Sequence, residues 1–350
     1  MFNLNTITRE NIKSLQSYKV WRDDYLDNSE AIFLDNCENN FGSPLGSGYE
    51  RYPSSSQLKV KEAIAKHKNV NSTQVILGNG SDELIDLLMR CFCEPKHDNL
   101  LICEPTFGMF KIYAQLNNIE VLNAPLIKKN FLFDEQLILR TTNLKTKLIF
   151  ICSPNNPTGT SITIHQLKTI AANFGGILVV DEAYIDFSEK ESALTLINKL
   201  KNIVVLQTFS KAWGLAALRV GVAYANPLII EILNKVRPPF NINSNSQKLI
   251  IEAIQKSVIK DTLIASNLNQ KKYLLHELKQ LSFIKKIIES DANFFLIEVN
   301  NATKMCDYLL EHNLLISNRN DLLNCENHIR ISFGTEIENK KLITLLKQYN

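Results

Sequence analysis

Several features are missing or scarce in this chain of 350 residues, and each absence closes off a class of function. There is no excess of one charge: 39 lysines and arginines face 36 aspartates and glutamates, spread along the chain with a net charge of +3. A basic nucleic-acid footprint is therefore not expected. No apolar run approaches the roughly 20 residues that span a bilayer. The opening Met1-Phe2-Asn3-Leu4-Asn5-Thr6 also lacks the charged head and apolar centre of a signal peptide. No membrane role is expected, and the cytoplasm is the expected compartment. The six histidines are scattered, and Cys37, Cys91, Cys93, Cys103, Cys152, Cys306 and Cys325 show no paired zinc spacing, so no metal is expected. An odd number of cysteines, several inside apolar runs such as 148–152, reads as reduced thiols. Internal repeats and low-complexity tracts are absent too.

What remains is ordinary globular composition, 45% hydrophobic and 21% charged, at a length that favours one large domain with a smaller companion. Residues 1–35 hold a short polar arm and Ile32-Phe33-Leu34, too little for a core. A loop rich in Asn, Gly, Pro and Ser follows over 36–56, carrying Tyr49, Glu50, Arg51 and Tyr52. Loops of this length tend to be functional or interfacial; plain surface packing is the other reading. From Gln57 onward strand patterns (74–77, 99–103, 120–122, 147–152, 177–180, 203–206) alternate with helical ones such as 107–116 and 163–174. That alternation predicts an α/β fold with a mostly parallel sheet covered by helices on both faces. Beyond Pro238-Pro239 comes a long helical stretch over 246–281, then strands at 294–299, 314–316 and 329–332 and a closing helix, a smaller α+β unit. The expected division is an arm over 1–40 that joins the small domain, a large domain over 41–238 and a small domain over 239–350, hinged at the prolines.

Chemistry gathers at the ends of the predicted strands. Thr208-Phe209-Ser210-Lys211-Ala212-Trp213-Gly214-Leu215 is a polar turn between two apolar runs, with Arg219 shortly after it. An amine beside hydroxyls and an arginine suits a lysine that forms a Schiff base with a phosphorylated aldehyde cofactor. An exposed loop lysine is the plainer reading. Gly78-Asn79-Gly80-Ser81-Asp82-Glu83 follows a strand and opens a helix, a geometry that cradles phosphate on backbone N–H groups. Glu83 occupies the place of the third glycine in a dinucleotide fingerprint, and a structural turn would look the same. Asn155-Asn156-Pro157-Thr158-Gly159 ends another strand, placing an amide at the ligand crevice of an open α/β sheet or making a simple turn. Asp181-Glu182-Ala183-Tyr184 ends the next: the carboxylate can pair with a protonated pyridine nitrogen, and a metal is the competing partner. Arg330 lies between apolar neighbours and needs an anion, supplied either by a ligand or by an internal acid.

The order of these motifs carries a resemblance that each alone does not. Phosphate cradle, Asn-Pro-Thr-Gly, Asp-x-x-Tyr, Ser-Lys, an arginine eight residues on and then Arg330 follow one another as in the fold-type I pyridoxal-phosphate aminotransferases, over nearly the full length. Within them the chain resembles the histidinol-phosphate aminotransferase family in residues 9–18, Glu38-Asn39, Arg51-Tyr52-Pro53, 91–95, 105–109 and 152–159.

That resemblance implies pyridoxal 5'-phosphate as cofactor. It makes Lys211 the Schiff-base lysine and proton shuttle, Asp181 the partner of the pyridine nitrogen, and Asn156 and Tyr184 the partners of the phenolate oxygen. Ser81, Asp82, Thr208, Ser210 and Arg219 would bind the cofactor phosphate, and Phe107 would stack on the ring where relatives often carry tyrosine. Tyr52 would reach the neighbouring subunit's cofactor, which implies a homodimer with shared sites. The implied reaction passes an amino group between L-histidinol phosphate and 2-oxoglutarate, with Arg330 gripping the substrate's anionic group and Tyr18, Asn39 and Arg319 beside it. Two departures stand out. The chain reads Asp35-Asn36-Cys37-Glu38-Asn39-Asn40 where relatives commonly have Asn-Ala-Asn-Glu-Asn-Pro, and Ser317 stands where they tend to place a second phosphate-binding arginine, with Arg319 two residues later. A threonine-phosphate decarboxylase-like lyase and an aromatic amino-acid aminotransferase are the rival readings within the superfamily. A nucleotide-binding protein using the Gly78-x-Gly80 turn is the rival outside it, and it would need neither Lys211 nor Asp181.

Overall fold

A computed structural model describes residues 2–18, 20–25, 30–46 and 48–349. Its large sheet has seven strands: β1 (Val75–Asn79), β2 (Asn99–Ile102), β3 (Glu120–Asn123), β4 (Thr146–Cys152), β5 (Ile177–Asp181), β6 (Ile203–Thr208) and β7 (Val220–Ala225). Their order is β1-β7-β6-β5-β4-β2-β3. β3, β2, β4, β5 and β6 run parallel, and β7 is antiparallel to both β6 and β1. The α/β architecture read from the alternation is therefore present.

The central strands are apolar on both faces because both are covered, and side chains alternate with the period of two. Leu148, Phe150 and Cys152 of β4, Ile177 and Val179 of β5, and Val204 and Leu206 of β6 meet the helices Ser81–Phe92, Met109–Leu116 and Pro227–Val236. Ile149, Ile151, Leu178, Val180, Ile203 and Val205 face the opposite way, toward helices Leu58–Lys68 and Ile164–Asn173. Each such fully buried Leu, Ile or Phe side chain contributes on the order of 2 kcal/mol. The alternation also has a functional consequence. In register, Cys152 lies beside Asp181, so both belong to the face of helix Ser81–Phe92.

The second sheet, ordered β10-β11-β9-β8, is antiparallel and comprises β8 (Ile284–Ile287), β9 (Phe294–Val299), β10 (Ser317–Asn318) and β11 (His328–Ser332). Three details differ from the sequence reading. Ile284-Lys285-Lys286-Ile287 forms a strand whose two central residues are exposed, so its apolar pattern is too weak to read. The strand expected at 314–316 falls instead on Ser317–Asn318, because pairing with β11 outweighs local apolar character. The long helical stretch is two helices, Ser244–Gln255 and Ser257–Leu278, broken at Lys256. The first of these packs on helix Leu58–Lys68 and places Ile250 in the core of the large sheet.

Candidate active site

The side chains singled out in the sequence converge because strand ends converge. Asp181 ends β5 and Thr208 ends β6; Asn156 follows β4; Gly80 and Ser81 follow β1; Lys211 sits in the turn from β6 to β7. Together with Phe107, Tyr184, Ser210, Arg219, Arg319 and Arg330 they line one cavity of about 330 Å³. Tyr18, Asn39 and Tyr52 do not line it; all three are exposed, the first two on the arm and Tyr52 on the loop after it. Cys152 and Ala183 line it without having been singled out. The register that seats Cys152 beside Asp181 is the signal that would have found the cysteine.

One end of the cavity is built for an anion with little side-chain bulk. Gly80 has φ +77 and caps helix Ser81–Phe92, and a Cβ there would run into the Arg219 guanidinium. Gly221 lies against the backbone of Gly80 and Ser81, where a Cβ would collide with main chain. The Gly80 N–H donates to the Arg219 carbonyl at 2.8 Å, which ties the cradle to the β7 side of the lysine turn. Arg219 Nη2 reaches Asp82 Oδ2 at 3.3 Å. Thr208 Oγ1 accepts from the Ser210 N–H at 3.1 Å and donates to Ser210 Oγ at 3.0 Å, so two hydroxyls and a helix N-terminus face the same space.

The floor holds a carboxylate with no cation hydrogen-bonded to it among the described residues. Asp181 is 3% exposed and accepts one bond, from the Ala183 N–H at 3.1 Å. Burial pushes its pKa up to about 7. Its neighbour Glu182 points to the opposite face and accepts from Ser192 Oγ at 2.6 Å, the Ala193 N–H at 2.6 Å and Gln207 Nε2 at 3.0 Å. One of the two adjacent acids is satisfied by the chain, and the other looks into the cavity. Cys152 is a buried thiol whose pKa burial raises well above the ordinary value, so it is not a nucleophile.

Lys211 stands on the open side, its Nζ 5.5 Å from the centre of the Tyr184 ring. Burial of the amine, with Arg330 next, lowers its pKa, while Asp181 and Asp82 pull the other way. Burial raises the pKa of Tyr184. Asn156 is held by its neighbour: buried Asn155 accepts from Thr106 Oγ1 at 2.8 Å and donates to the Pro105 carbonyl at 2.8 Å, joining the loops that carry Phe107 and Asn156.

The other end contains two guanidinium groups without acids. Arg330 Nη1 donates to Asn156 Oδ1, and its guanidinium lies 5.2 Å from the Phe294 ring centre. Phe294 in turn meets Tyr184 edge-on at 5.1 Å. Neither Arg330 nor Arg319 forms an ion pair among the described residues, and the Nε of each is buried without a hydrogen bond. Burial lowers both guanidinium pKas, and for Arg330 the nearby Arg319 adds to it. Ser317 pairs with Arg330 across β10 and β11. The Arg319 N–H continues that ladder to the His328 carbonyl at 2.9 Å, so Arg319, two residues on, falls on the same face as Ser317.

A lysine in a turn of a mostly parallel sheet, facing a buried acid and flanked by anion sites, fits the class of the aminotransferases. The family model described as aminotransferase class I and II matches residues 28–346. Histidinol-phosphate aminotransferases of Cytophaga hutchinsonii and Flavobacterium psychrophilum are 44% and 43% identical to it, each alignment covering 99% of both chains. The fold is also that of the Sinorhizobium meliloti histidinol-phosphate aminotransferase solved with pyridoxal-5'-phosphate, with a TM-score of 0.79 at 19% identity over 89% of this chain and 90% of that one. The chain belongs to the histidinol-phosphate aminotransferase family.

Proposed function

We propose that this enzyme transfers an amino group between L-histidinol phosphate and 2-oxoglutarate, giving imidazole acetol phosphate and L-glutamate, with pyridoxal phosphate as cofactor. The observation that carries the reading is one cavity holding a lysine, an acid with no cation bound to it and two unpaired arginines. The chain's own groups fit the cofactor: a cradle that a Cβ at Gly80 or Gly221 would fill, and a buried carboxyl left to meet a cationic ring nitrogen. When bound, pyridoxal phosphate supplies an aldehyde for amine attachment and an electron-withdrawing ring that takes up the electron pair released at the substrate α-carbon.

In this reading the residues divide the work as follows. Ser81 and Asp82 through their backbone, with Thr208, Ser210 and Arg219, hold the cofactor phosphate. Phe107 covers one ring face. Asp181 stays ionised against the ring nitrogen, because a cation beside it reverses the effect of burial on its pKa. The Asn156 amide N–H₂ and the Tyr184 hydroxyl hold the ring oxygen, and Arg330 fixes Asn156 by taking its Oδ1. Lys211 Nζ would anchor the cofactor and would move the proton to and from the substrate α-carbon. Its lowered pKa makes the neutral amine accessible for that transfer. Arg330, with Arg319, receives the carboxylate of glutamate in one half-reaction and the phosphate of the other substrate in the next, since a guanidinium fork matches both.

A second copy of the chain completes the site in this reading. Tyr18, Asn39 and Tyr52 lie outside their own chain's cavity, on the arm and the loop that follows it, a stretch that exposes Ile32, Leu34, Phe41 and Leu45. Exposed apolar side chains of that kind fit a homodimer interface in which this segment reaches the neighbouring site. We take the large domain as 41–238 and the small one as 239–350, with helix Ser244–Gln255 leaning on the large sheet. Seven free cysteines fit a reducing compartment, the cytoplasm.

The test is the absorbance spectrum of the purified protein with pyridoxal phosphate, before and after L-histidinol phosphate is added without any oxo acid. A yellow band that bleaches is the expected result. A protein that remains colourless would overturn the mechanism. Bleaching by glutamate and an aromatic amino acid only would move the substrate, and release of carbon dioxide from L-threonine phosphate would favour a lyase.

A further inference from the structure

The arm contains a cluster that the proposed chemistry does not use. Glu38 has a side chain 3% exposed, and its two oxygens accept four hydrogen bonds. Arg22 Nη1 donates to Oε1 at 2.6 Å and Arg22 Nη2 to Oε2 at 2.7 Å, a bidentate fork. Arg51 Nη1 donates to Oε2 at 2.7 Å, and the Tyr52 backbone N–H to Oε1 at 2.7 Å. Arg22 is itself buried, pairs also with Asp35, and lies 4.7 Å from the Phe33 ring centre. One carboxylate thus joins two stretches of the arm, around Arg22 and Glu38, to the following loop at Arg51, and grips the backbone of Tyr52 directly. The hydrogen bonds from Arg22, then from Arg51 and the Tyr52 amide, hold its pKa down to about 2 against the effect of burial. The Tyr52 ring is fixed from its other side by stacking on Phe240, 4.7 Å between centres and 21° between planes. The residue is nonetheless 53% exposed and lies outside the cavity of its own chain.

We propose that Glu38 is a positioning residue that acts in trans, clamping Arg22, Arg51 and the Tyr52 backbone so that the Tyr52 side chain completes the cavity of a second copy of this chain. The inference rests on the shared-site reading above. A clamp is needed there because a tyrosine carried on a loop enters another subunit's site usefully only if its backbone is fixed, and small misplacements of such groups are costly. Glu38→Gln keeps the shape but turns an amide N–H₂ toward a guanidinium, breaking the fork at one oxygen.

The decisive experiment pairs subunits. A heterodimer is purified from differently tagged Lys211→Ala and Glu38→Gln chains, both saturated with pyridoxal phosphate. If Glu38 acts in trans, one of its two sites combines Lys211 of one chain with an intact clamp from the other. The hybrid then recovers about half of wild-type activity, although the Lys211→Ala homodimer has none. The Glu38→Gln homodimer is expected to be weakened on the order of ten-fold in activity and in cofactor affinity. A hybrid no more active than half the Glu38→Gln homodimer would show that Glu38 acts within its own chain and overturn the proposal while leaving the dimer intact. A monomer by light scattering would overturn the shared site as well. Should Glu38→Gln fail to fold, Arg51→Gln breaks the clamp at its partly exposed member and gives the same two outcomes in the same hybrid.

Discussion

Two carboxylates, Asp181 in the cavity and Glu38 in the arm, have side chains almost equally withdrawn from water, yet their acidities move in opposite directions. Asp181 meets one backbone N–H and rises to about 7; Glu38 meets two guanidinium groups and falls to about 2. The arginines repeat the contrast. Arg22 is forked onto Glu38, whereas Arg330 and Arg319 have no acid among the described residues. The difference separates architecture from site. In the arm the charges are neutralised within the chain, so they hold shape. In the cavity one acid and two bases are kept apart, and their compensation has to come from molecules that bind between them.

The strongest way to break this comparison is at the amine that lies between the acid and the arginines. Lys211→Ala is expected to lower turnover by at least ~10⁴-fold, while leaving unfolding free energy within about 0.5 kcal/mol, because Lys211 makes no ion pair among the described residues. Steady-state kinetics and denaturant melts of the same preparation check both halves. A large loss of stability would mean that the lysine is architectural.

The two acids can be set against each other by pH. Asp181 is raised above its unfolded value of 3.8, so in the cofactor-free protein its contribution is fully present below about pH 4 and is lost as pH rises to about 7. The loss amounts to on the order of 4 kcal/mol. Glu38 has the opposite sign: its contribution is present above about pH 4.5 and is lost as pH falls toward 2. Urea melts of the cofactor-free protein from pH 4 to 8 should therefore slope downward, and Asp181→Asn should flatten that slope. If it persists in Asp181→Asn, another buried group causes it.

Arginines give the next contrast. Removing Arg22 leaves a buried carboxylate short of its main partner, and Arg22→Met is expected to cost roughly 3 kcal/mol of stability. Arg330→Met removes a half-buried cation that has no acid among the described residues, so stability should be unchanged or higher while kcat/KM falls on the order of 10²-fold. Equal destabilisation by both substitutions would erase the distinction between the two regions.

What could be read from the sequence follows the same division. Lys211, Asp181, Asn156 and Ser81 each sit at or just past the end of an apolar run, and in a parallel sheet such positions collect at one edge whatever the details of packing. Arg330 could be read for a related reason, as a cation on an apolar strand with no local acid. The arm could not be read in this way. Arg22, Glu38 and Arg51 have no shared periodicity, and what joins them is a fold of the loop that no local pattern encodes. Phe294 escaped for another reason: it opens a strand as an ordinary apolar residue, and its contact with Tyr184 and Arg330 exists only because the two sheets meet there. The strand expected at 314–316 was displaced by the same kind of long-range pairing, since β10 is set by its register with Arg330 and Ile329.

That register makes the smallest effect the most specific. Ser317 and Arg319 share a face, and only the second carries a guanidinium into the cavity. If Arg319 serves the phosphorylated substrate more than glutamate, Arg319→Met should raise KM for L-histidinol phosphate about ten-fold, with a smaller change for glutamate, whose carboxylate carries less charge. Adding Ser317→Arg to that variant returns a guanidinium to the same face from the position directly opposite Arg330, and it should restore most of the loss. Failure of the restoration, with the single variant behaving as expected, would mean that the approach angle of Arg319 from beyond the strand end matters as well as its charge. Equal increases in KM for both substrates would show instead that Arg319 acts through Arg330, by repulsion between neighbouring cations, and has no preference of its own.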